Sequence, residues 1–430
     1  MPLLAIVVGA GLAGLAVATG LARKGHQVTV YERRVPAKQD ESESGIQLQP
    51  NVARSLDVWG MMEDLKELRT HDGGLIAHHD FRRNGPAWYG LRRVLKDTFG
   101  QSAIRYGAEI LEGVNISTFD QNVPSITLDD GKVITCDLIV AADGSGSRIR
   151  QALFPHHHGR NVLNKAVWQI SLPLDVVRKD DTLRGLLDEH HNVITVASGR
   201  SIFASPSPSQ NTYDLQLIDH EHTLEQDFNP TALNERVFVL EWVKERFGDF
   251  DAATRKAIDS VHTVFKCKLV EVFDLPSWSS ENGKVMMLGD AAHAMTPNSG
   301  QGTAMGIDDA AVLSELLTNA SSGSDLQPLT KAYENLRRPR CETVLQLARA
   351  YGASWSAKDP EQIRRRNATW KRAHEQRHQL VEADSKAPPG SAAFGQRIET
   401  YDVFEAVREE LARPKRAAKT DAERVIWYAC

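Results

Sequence analysis

Leu3-Leu4-Ala5-Ile6-Val7-Val8-Gly9-Ala10-Gly11-Leu12-Ala13-Gly14 lies inside a run, residues 1–22, that carries no charged side chain. At about 1.5 Å per helical residue such a run is long enough to cross a bilayer core of about 30 Å. A secretory signal places its basic residues ahead of the apolar stretch, whereas here the first one, Arg23, comes behind it. The glycines at 9, 11, 14 and 20 divide the run instead into two periodicities. A β-type segment covers 3–8, and a small-residue helix runs from about 12 to 24, with Gly25 as its stop. The reading is strand, turn, helix.

Gly9-x-Gly11-x-x-Gly14 falls at that turn, and each glycine has a separate task. Gly9 lets the chain turn, Gly11 lets backbone approach a pyrophosphate, and Gly14 lets the helix pack closely on the strand. The helix N-terminus then offers free N–H groups and partial positive charge to phosphate. A second strand, Gln27-Val28-Thr29-Val30-Tyr31-Glu32, ends in a carboxylate where a ribose diol would be gripped. Glu32 would repel a 2′-phosphate, which points to NAD or FAD, with Arg33 either stacked on adenine or solvated. The first motif does not separate the two dinucleotides.

Composition sets the frame. The chain has 430 residues, 41% of them hydrophobic, with 51 Lys and Arg against 56 Asp and Glu, a formal net charge of −5. No global basic field exists to hold nucleic acid or an anionic membrane. Cys136, Cys267, Cys341 and Cys430 form no CxxC pair, which argues against a disulfide framework or a thiolate metal site and fits a reducing, cytoplasmic setting. His156, His157 and His158 have no carboxylate or cysteine at ligand spacing and read as a loop, so no metal is expected.

Two later segments repeat the strand-into-polar-turn design. One is Asp137-Leu138-Ile139-Val140-Ala141-Ala142-Asp143-Gly144-Ser145-Gly146-Ser147-Arg148-Ile149-Arg150. The other is Lys284-Val285-Met286-Met287-Leu288-Gly289-Asp290-Ala291-Ala292-His293, continuing through Pro297, Gly300, Gly302 and Thr303 into a helix from about 304 to 317. With this ordered triple, the sequence closely resembles the class A, single-component flavin monooxygenases, the para-hydroxybenzoate and salicylate hydroxylase-like family, over about residues 3 to 345.

That resemblance implies an α/β fold: a Rossmann-like FAD-binding domain with an inserted mixed α+β substrate domain and a C-terminal helical region. The expected boundaries are 1–70, 91–155 and 280–345 for the discontinuous FAD-binding domain, 162–275 for the substrate domain and 346–430 for the helical region. It further implies that Asp290 binds a ribitol hydroxyl, that Pro297 walls the isoalloxazine, and that the backbone N–H groups around Gly302 and Thr303, past Gly300, face the pyrimidine edge. There a helix dipole favours the negative charge of reduced flavin. A helix N-cap is the alternative role for Asp290. Asp143 and Gly144 match the motif that contacts FAD pyrophosphate and, transiently, NADH or NADPH, with Arg150 supporting the turn. Gly45, in Ser44-Gly45-Ile46-x-Leu48-x-Pro50-Asn51, would approach the flavin; Arg92 either touches the cofactor or is solvated.

Within 162–273, strand-like pieces at 193–197 and 213–218 alternate with a charged helix near 233–246, and Ser205-Pro206-Ser207-Pro208-Ser209 reads as a loop because proline cannot continue a central ladder. The basic stretch 362–379 reads as a solvated helix, 387–395 as a linker, and 425–428 as a segment that docks on the core or serves a dimer. A monomer or homodimer is expected, with no membrane or nucleic-acid partner.

The family's chemistry is insertion of one atom of O2 through a flavin C4a-hydroperoxide, with NAD(P)H as reductant. Phenol-hydroxylating relatives carry an arginine on the first substrate-domain strand and a tyrosine before a proline on a later one. Matched here, those places hold Gln169 and Ser205, so charged or acidic helpers are absent from both. Gln169 offers only neutral hydrogen bonds. The inference is a neutral, electron-rich substrate (an indole, another heteroaromatic or an alkene) that is hydroxylated or epoxidised. Trp168, Phe203 and Trp278 are pocket-wall candidates whose commoner fate is core; a base among His71, His78 and His79 is a guess. The alternatives are a flavin-dependent dehydrogenase or halogenase on the same scaffold, the latter disfavoured by the single Trp of Val167-Trp168-Gln169-Ile170-Ser171-Leu172-Pro173, and a flavin-binding accessory protein without turnover.

Overall fold

The computed structural model describes residues 1–35, 45–61, 75–76, 79–80, 88–187, 193–207, 211–223, 234–238, 241–375, 386–387 and 391–413. The charge-free N-terminus is a strand, β1 (Leu4–Val8), a helix, α1 (Leu12–Arg23), and a second strand, β2 (Gln27–Glu32). Gly25, at φ +86°, reverses the chain after α1. Helix α2 (Pro50–Val58), helix α3 (Arg92–Arg105), β3 (Glu109–Glu112), β4 (Leu138–Ala141) and α4 (Arg148–Leu153) follow.

The chain then leaves this layer and builds a second sheet from β5 (Arg160–Pro173), β6 (Val193–Ala197), β7 (Arg200–Ser207), β8 (Thr212–Asp219), β9 (Asn234–Phe238) and β10 (Thr263–Val272). It returns as β11 (Val285–Met287), the short helix α5 (Asp290–His293), α6 (Gly302–Leu316) and the long α7 (Gln327–Trp355), which spans residue 345 without a break. Helices α8 (Pro360–Glu375), α9 (Ala392–Glu399) and α10 (Val403–Ala412) complete the described chain.

The first sheet is parallel, in the order β11-β4-β1-β2-β3, which is the 3-2-1-4-5 order of a dinucleotide-binding fold. Strand β1 is central, flanked by β2 and β4, and Val7, Val30, Ile139 and Val140 are fully buried. A charge on such a strand would lose its hydration with no partner to replace it, which accounts for the uncharged run. Among the described residues no helix is long and apolar enough to cross a membrane.

Helix α6 crosses α1 at backbone distance. A Cβ on Gly20 would stand 2.1 Å from Ser314 Oγ, and one on Gly306 would stand 3.0 Å from the Ala13 Cβ. Helices α9 and α10 bury Phe394, Ile398, Val403 and Val407 in the same core as the parallel sheet. Arg54 ties them down by donating to the Glu399 and Tyr401 carbonyls.

The second sheet is antiparallel, ordered β6-β7-β8-β5-β10-β9. Two expectations change here. Residues 234–238 are an edge strand paired to β10, and among the described residues of that stretch the helix is Glu241–Arg246. Ser205-Pro206-Ser207 is not a loop but the end of β7, paired to Thr212, Tyr213 and Asp214. Proline is tolerated there because the described pairing of β6 begins at Val193↔Ala204, so among the described residues the N–H side of Pro206 faces no ladder. One face of this sheet, with Trp168, Ile170, Leu172, Ile202, Leu215 and Leu217, packs under its own short helices. The segment 425–428 lies outside the described residues.

Candidate active site

The three motifs converge at the carboxyl ends of β1, β4 and β11. Gly9, at φ +104°, brings its Cα so close to β4 that a Cβ would stand 2.5 Å from the Ala142 carbonyl oxygen; on Gly14 a Cβ would stand 2.0 Å from the Gly9 oxygen. Gly289, at φ +57°, likewise sits against Ala13. Over Gly11 the space is open, with no atom of the described residues within 4 Å of where a Cβ would be. Helix α1 starts there with no side-chain cap and no acidic residue in its first turn, so its terminal N–H groups point at that space uncompensated.

Glu32 Oε2 accepts from the Ala10 amide (2.8 Å) and Oε1 from the Arg34 amide (2.9 Å), which clamps the carboxylate at the rim of the glycine turn. A carboxylate has about four lone-pair sites, so acceptor capacity is left for a diol. Arg33 beside it is exposed. Asp143 Oδ2 accepts from the Arg148 amide (2.8 Å), while Oδ1 is buried with no hydrogen-bond partner among the described residues. Burial pushes this carboxyl upward, against the Ser147, Arg148 and Ile149 hydrogen bonds.

Arg150 joins the second and third motifs. Fully buried, it donates to the Ser145 carbonyl (2.6 Å) and to the Ala291 carbonyl (2.8 Å). Burial pulls its guanidinium down to about 10, a fall that attraction to Asp143 and Asp290 partly offsets. Asp290 is exposed as the first residue of α5, whose cap is Gly289, with no side-chain cap bond; the N-cap alternative for Asp290 therefore does not hold.

Pro297 is exposed at the start of a 3-10 turn, Pro297–Ser299, closed by left-handed Gly300 at φ +62°. Gln301 then opens α6, again without a side-chain cap, leaving the Gly302 and Thr303 end of the helix bare. Around this turn Gln49 Oε1, Asn51 Oδ1, Asn298 Oδ1, Ser299 Oγ and both side-chain heteroatoms of Gln301 are buried without hydrogen-bond partners among the described residues. Each unmet group costs about 1–3 kcal/mol, so this stretch is built to meet a ligand's donors and acceptors or ordered water. Gly45 pairs with Leu91 in a two-stranded ladder and Arg92 begins α3. The Arg92 side chain lies outside the described residues, as do His71 and His78.

Behind the turn is an ion-pair network that the motifs did not reveal. Asp309 of α6, fully buried, accepts from His293 Nε2 (2.5 Å) and the Gly289 amide (2.9 Å) on Oδ2, and from Arg337 Nε (2.7 Å) on Oδ1. Burial alone would raise this carboxyl, but His293 and Arg337 hold it at about 2; burial alone would lower His293, but Cys341 and Asp309 hold it well above its usual value. His293, Asp309 and Cys341 lie close together, and both Asp309 oxygens already accept from protein donors, Oδ2 from two and Oδ1 from one. Neighbouring Asp308 accepts from Asn51 Nδ2 (3.0 Å) and Ser55 Oγ (3.3 Å).

The face of the antiparallel sheet away from its helices looks toward the parallel-sheet domain. Ile194 and Val196 pack on that domain's core. His220, just past β8, lies beside Gly352 of α7, where Asn298 also sits. His220 Nε2 meets Ser201 Oγ at 3.0 Å, and burial with nearby Lys165 pulls the imidazole down to about 4, so it is neutral at ordinary pH. Phe203, Gln216, Gln169 and Phe265 form one cross-strand row of this face; Ser205, Asp214 and Ser171 form the next.

Gln169 and Ser205 thus share the face expected to meet a substrate. So does Asp214, a carboxylate only 3% exposed, which accepts from Ser171 Oγ at 2.7 Å. Its signal was an acid in the apolar alternation Tyr213-Asp214-Leu215-Gln216-Leu217. Trp168 is buried on the helix side against Trp242 and Phe247, and Trp278 packs on His293, so of the three pocket-wall candidates only Phe203 is on this face. His157 Nε2 donates to the Asp274 carbonyl at 2.7 Å, with the Asp274 carboxylate 3.7 Å away.

A family described as FAD binding domain matches residues 3–348. The FAD-dependent monooxygenase cfoG of Aspergillus candidus is 28% identical over 382 residues, 82% of this chain and 85% of that protein. Kynurenine 3-monooxygenase of Salinispora tropica is 28% identical over 379 residues, 80% of this chain and 78% of that one. In fold, a salicylate hydroxylase solved as a substrate complex superposes with a TM-score of 0.74 at 20% identity, covering 97% of this chain and 99% of its own.

Proposed function

This chain belongs to the FAD-binding-domain family and is an FAD-dependent monooxygenase, and from that premise we propose that it adds one atom of O2 to a small, neutral, electron-rich substrate, with NADH or NADPH as reductant. The substrate is an aromatic, an indole or other heteroaromatic, or an alkene, and the outcome is hydroxylation or epoxidation. The residues present fit FAD, by the open space over Gly11, the unpartnered Asp143 Oδ1 and the bare N-termini of α1 and α6.

In this reading the N-terminus of α1 takes the pyrophosphate and Glu32 the adenosine ribose. Asp143 meets the pyrophosphate segment, Asp290 takes a ribitol hydroxyl, and Pro297 is the wall along one side of the ring. The Gly302–Thr303 end of α6 places backbone N–H groups and the positive end of a helix dipole at the pyrimidine edge, where added electron density is stabilised. Bound there, the flavin supplies reduction by nicotinamide and activation of O2. The chain's own work is to orient the ring, cover it and exclude water.

The observation that carries the substrate class is the neutral polar row of Gln169 and Gln216 between Phe203 and Phe265 on the covering sheet. Such a row offers amide hydrogen bonds and aromatic surface to a neutral ring. The test is NADH or NADPH oxidation in air against indoles, phenols and alkenes, with product mass. Substrate-stimulated oxidation with one oxygen added to a neutral ring or alkene is expected, and efficient hydroxylation of a simple hydroxybenzoate would overturn the substrate class.

A further inference from the structure

We propose that Gly352 of α7 is a positioning residue of the oxygenation site. It seats Asn298, the strut behind the flavin wall, and His220, at the edge of the covering sheet, against one turn of helix, and so sets the spacing of wall and cover. The inference rests on the reading of Pro297 as the wall beside the flavin ring.

The wall turn presents one residue. Thr296, Asn298 and Ser299 are buried, and Pro297 among them is exposed. Asn298 Nδ2 holds the turn from behind, donating to Thr296 Oγ1 (3.2 Å) and, across to α7, to the Ala348 carbonyl (3.3 Å). A carbonyl only accepts, so the NH2 end of the amide must face the helix. One side chain thus brackets Pro297 and ties it to α7.

Helix α7 admits that amide because residue 352 is glycine. Gly352 lies one turn on from Ala348, on the same face of the helix. A Cβ there would stand 2.5 Å from Asn298 Nδ2 and 4.0 Å from His220 Cε1. Glycine inside a helix is disfavoured against alanine, and what the missing methyl allows here is contact with the wall.

The covering sheet comes down on the same stretch of α7. Arg349 pairs with Glu271 of β10 (2.7 Å), the Gly199 amide donates to the Ser356 carbonyl just past the helix (3.2 Å), and the His220 amide donates to the Gly199 carbonyl (3.0 Å). Residues 348 to 356 therefore carry both the wall and the sheet, with no side chain at 352 to hold them off. A methyl at 352 would meet no backbone, only the end of the Asn298 side chain, which can turn aside by giving up its bonds to Thr296 and Ala348. Pro297 then loses its bracket while α7 stays helical.

The experiment uses the FAD-loaded full chain and three variants, Asn298→Ala, Gly352→Ala and the two together. The readouts are the absorption band of the bound flavin and the rate of FAD release on dilution, followed by flavin fluorescence. Each single change is expected to shift the band and to speed release about 10-fold, the worth of one or two neutral hydrogen bonds. The pair should match Asn298→Ala to within about 2-fold, because the new methyl has nothing to displace once the amide is gone.

A wild-type band and release rate in Gly352→Ala overturns the proposal. So does a pair whose effects multiply to about 100-fold, since residues acting independently would add in free energy. Should Asn298→Ala fail to fold, Asn298→Ser takes its place alone and in the pair. Pro297→Ala separates the two ways of failing. A band that moves there but not in Gly352→Ala overturns the joint alone; a band unmoved in Pro297→Ala overturns the wall reading and the inference with it.

Discussion

Replacing Asp309 by Asn removes one charge and one acceptor from the most heavily used carboxylate of the site. In the native arrangement it takes three donors: the His293 imidazole, the Gly289 amide and the Arg337 guanidinium. Asn keeps one acceptor oxygen, and its NH2 must face at least one of those N–H groups. Arg337 and His293 stay buried, with Asp308 4.0 Å from Arg337 Nη1 as a neighbouring acid. Breaking a buried pair from one side costs about 3–5 kcal/mol. For 430 residues the unfolding entropy is about 0.9 kcal/mol/K, so about 4 kcal/mol lowers Tm by about 4–5 °C if unfolding is cooperative.

The pH dependence carries a sign of its own. Asp309 is held at about 2, below the ordinary carboxylate value, so its stabilisation is present above about pH 4 and is lost as pH falls toward 2. His293 is held above its ordinary value, so its share is fully present below about pH 6.5 and is lost as pH rises through the folded value. The stability gap between wild type and Asp309→Asn is therefore widest between about pH 4 and 6.5 and narrows on both sides. Urea unfolding followed by tryptophan and flavin fluorescence, at several pH values and at saturating FAD, measures it. A gap under about 1 kcal/mol between about pH 4 and 6.5, or one that does not narrow as the pH falls toward 2, would refute the reasoning.

Further outcomes follow from the flavin cradle. Gly11→Ala meets no protein atom, so the apoprotein should keep its Tm while FAD affinity falls at least 10-fold, because the methyl fills the phosphate space; unchanged affinity by fluorescence titration removes Gly11 from the cradle. Gly14→Ala must push a methyl onto the Gly9 carbonyl, so it should cost stability and flavin together. Asp290→Ala should purify folded but colourless, and full flavin occupancy would exclude Asp290 from the site. Arg150→Met should loosen the contact between the Ser145 and Ala291 turns, read as faster FAD release with most of the fold retained.

The cofactor half of the site was legible because its logic is local. Turn, helix start and terminal acid all lie within residues 9–32, and the later motifs repeat the same strand-end pattern. The substrate half was not. Which face of β8 meets the parallel-sheet domain depends on helices packed from elsewhere, so Asp214 could not be told from an acid on a solvated edge. The Asp309–Arg337 pair spans 28 residues, joins two helices, and has no spacing signal. Residues 234–238 carry charge enough to suggest a helix, but an open edge of β10 captured them as a strand. The Ser-Pro run reads as a loop from sequence alone because a proline's effect depends on whether its N–H side faces a partner.

The excursion that builds the covering sheet departs at Arg160 and comes home at Val272, and those two residues are paired neighbours. Next to them the Phe273 amide donates to Gly159, and the Val272 amide to Ala294 beside α5. Everything between is a closed loop of chain that leaves and rejoins the cofactor layer at one place, while Ile194 and Val196 also pack on that layer's core. Insertions, deletions or whole rearrangements inside it leave both attachment points where they are, so a lineage can retune what it oxidises without disturbing how it holds its oxidant.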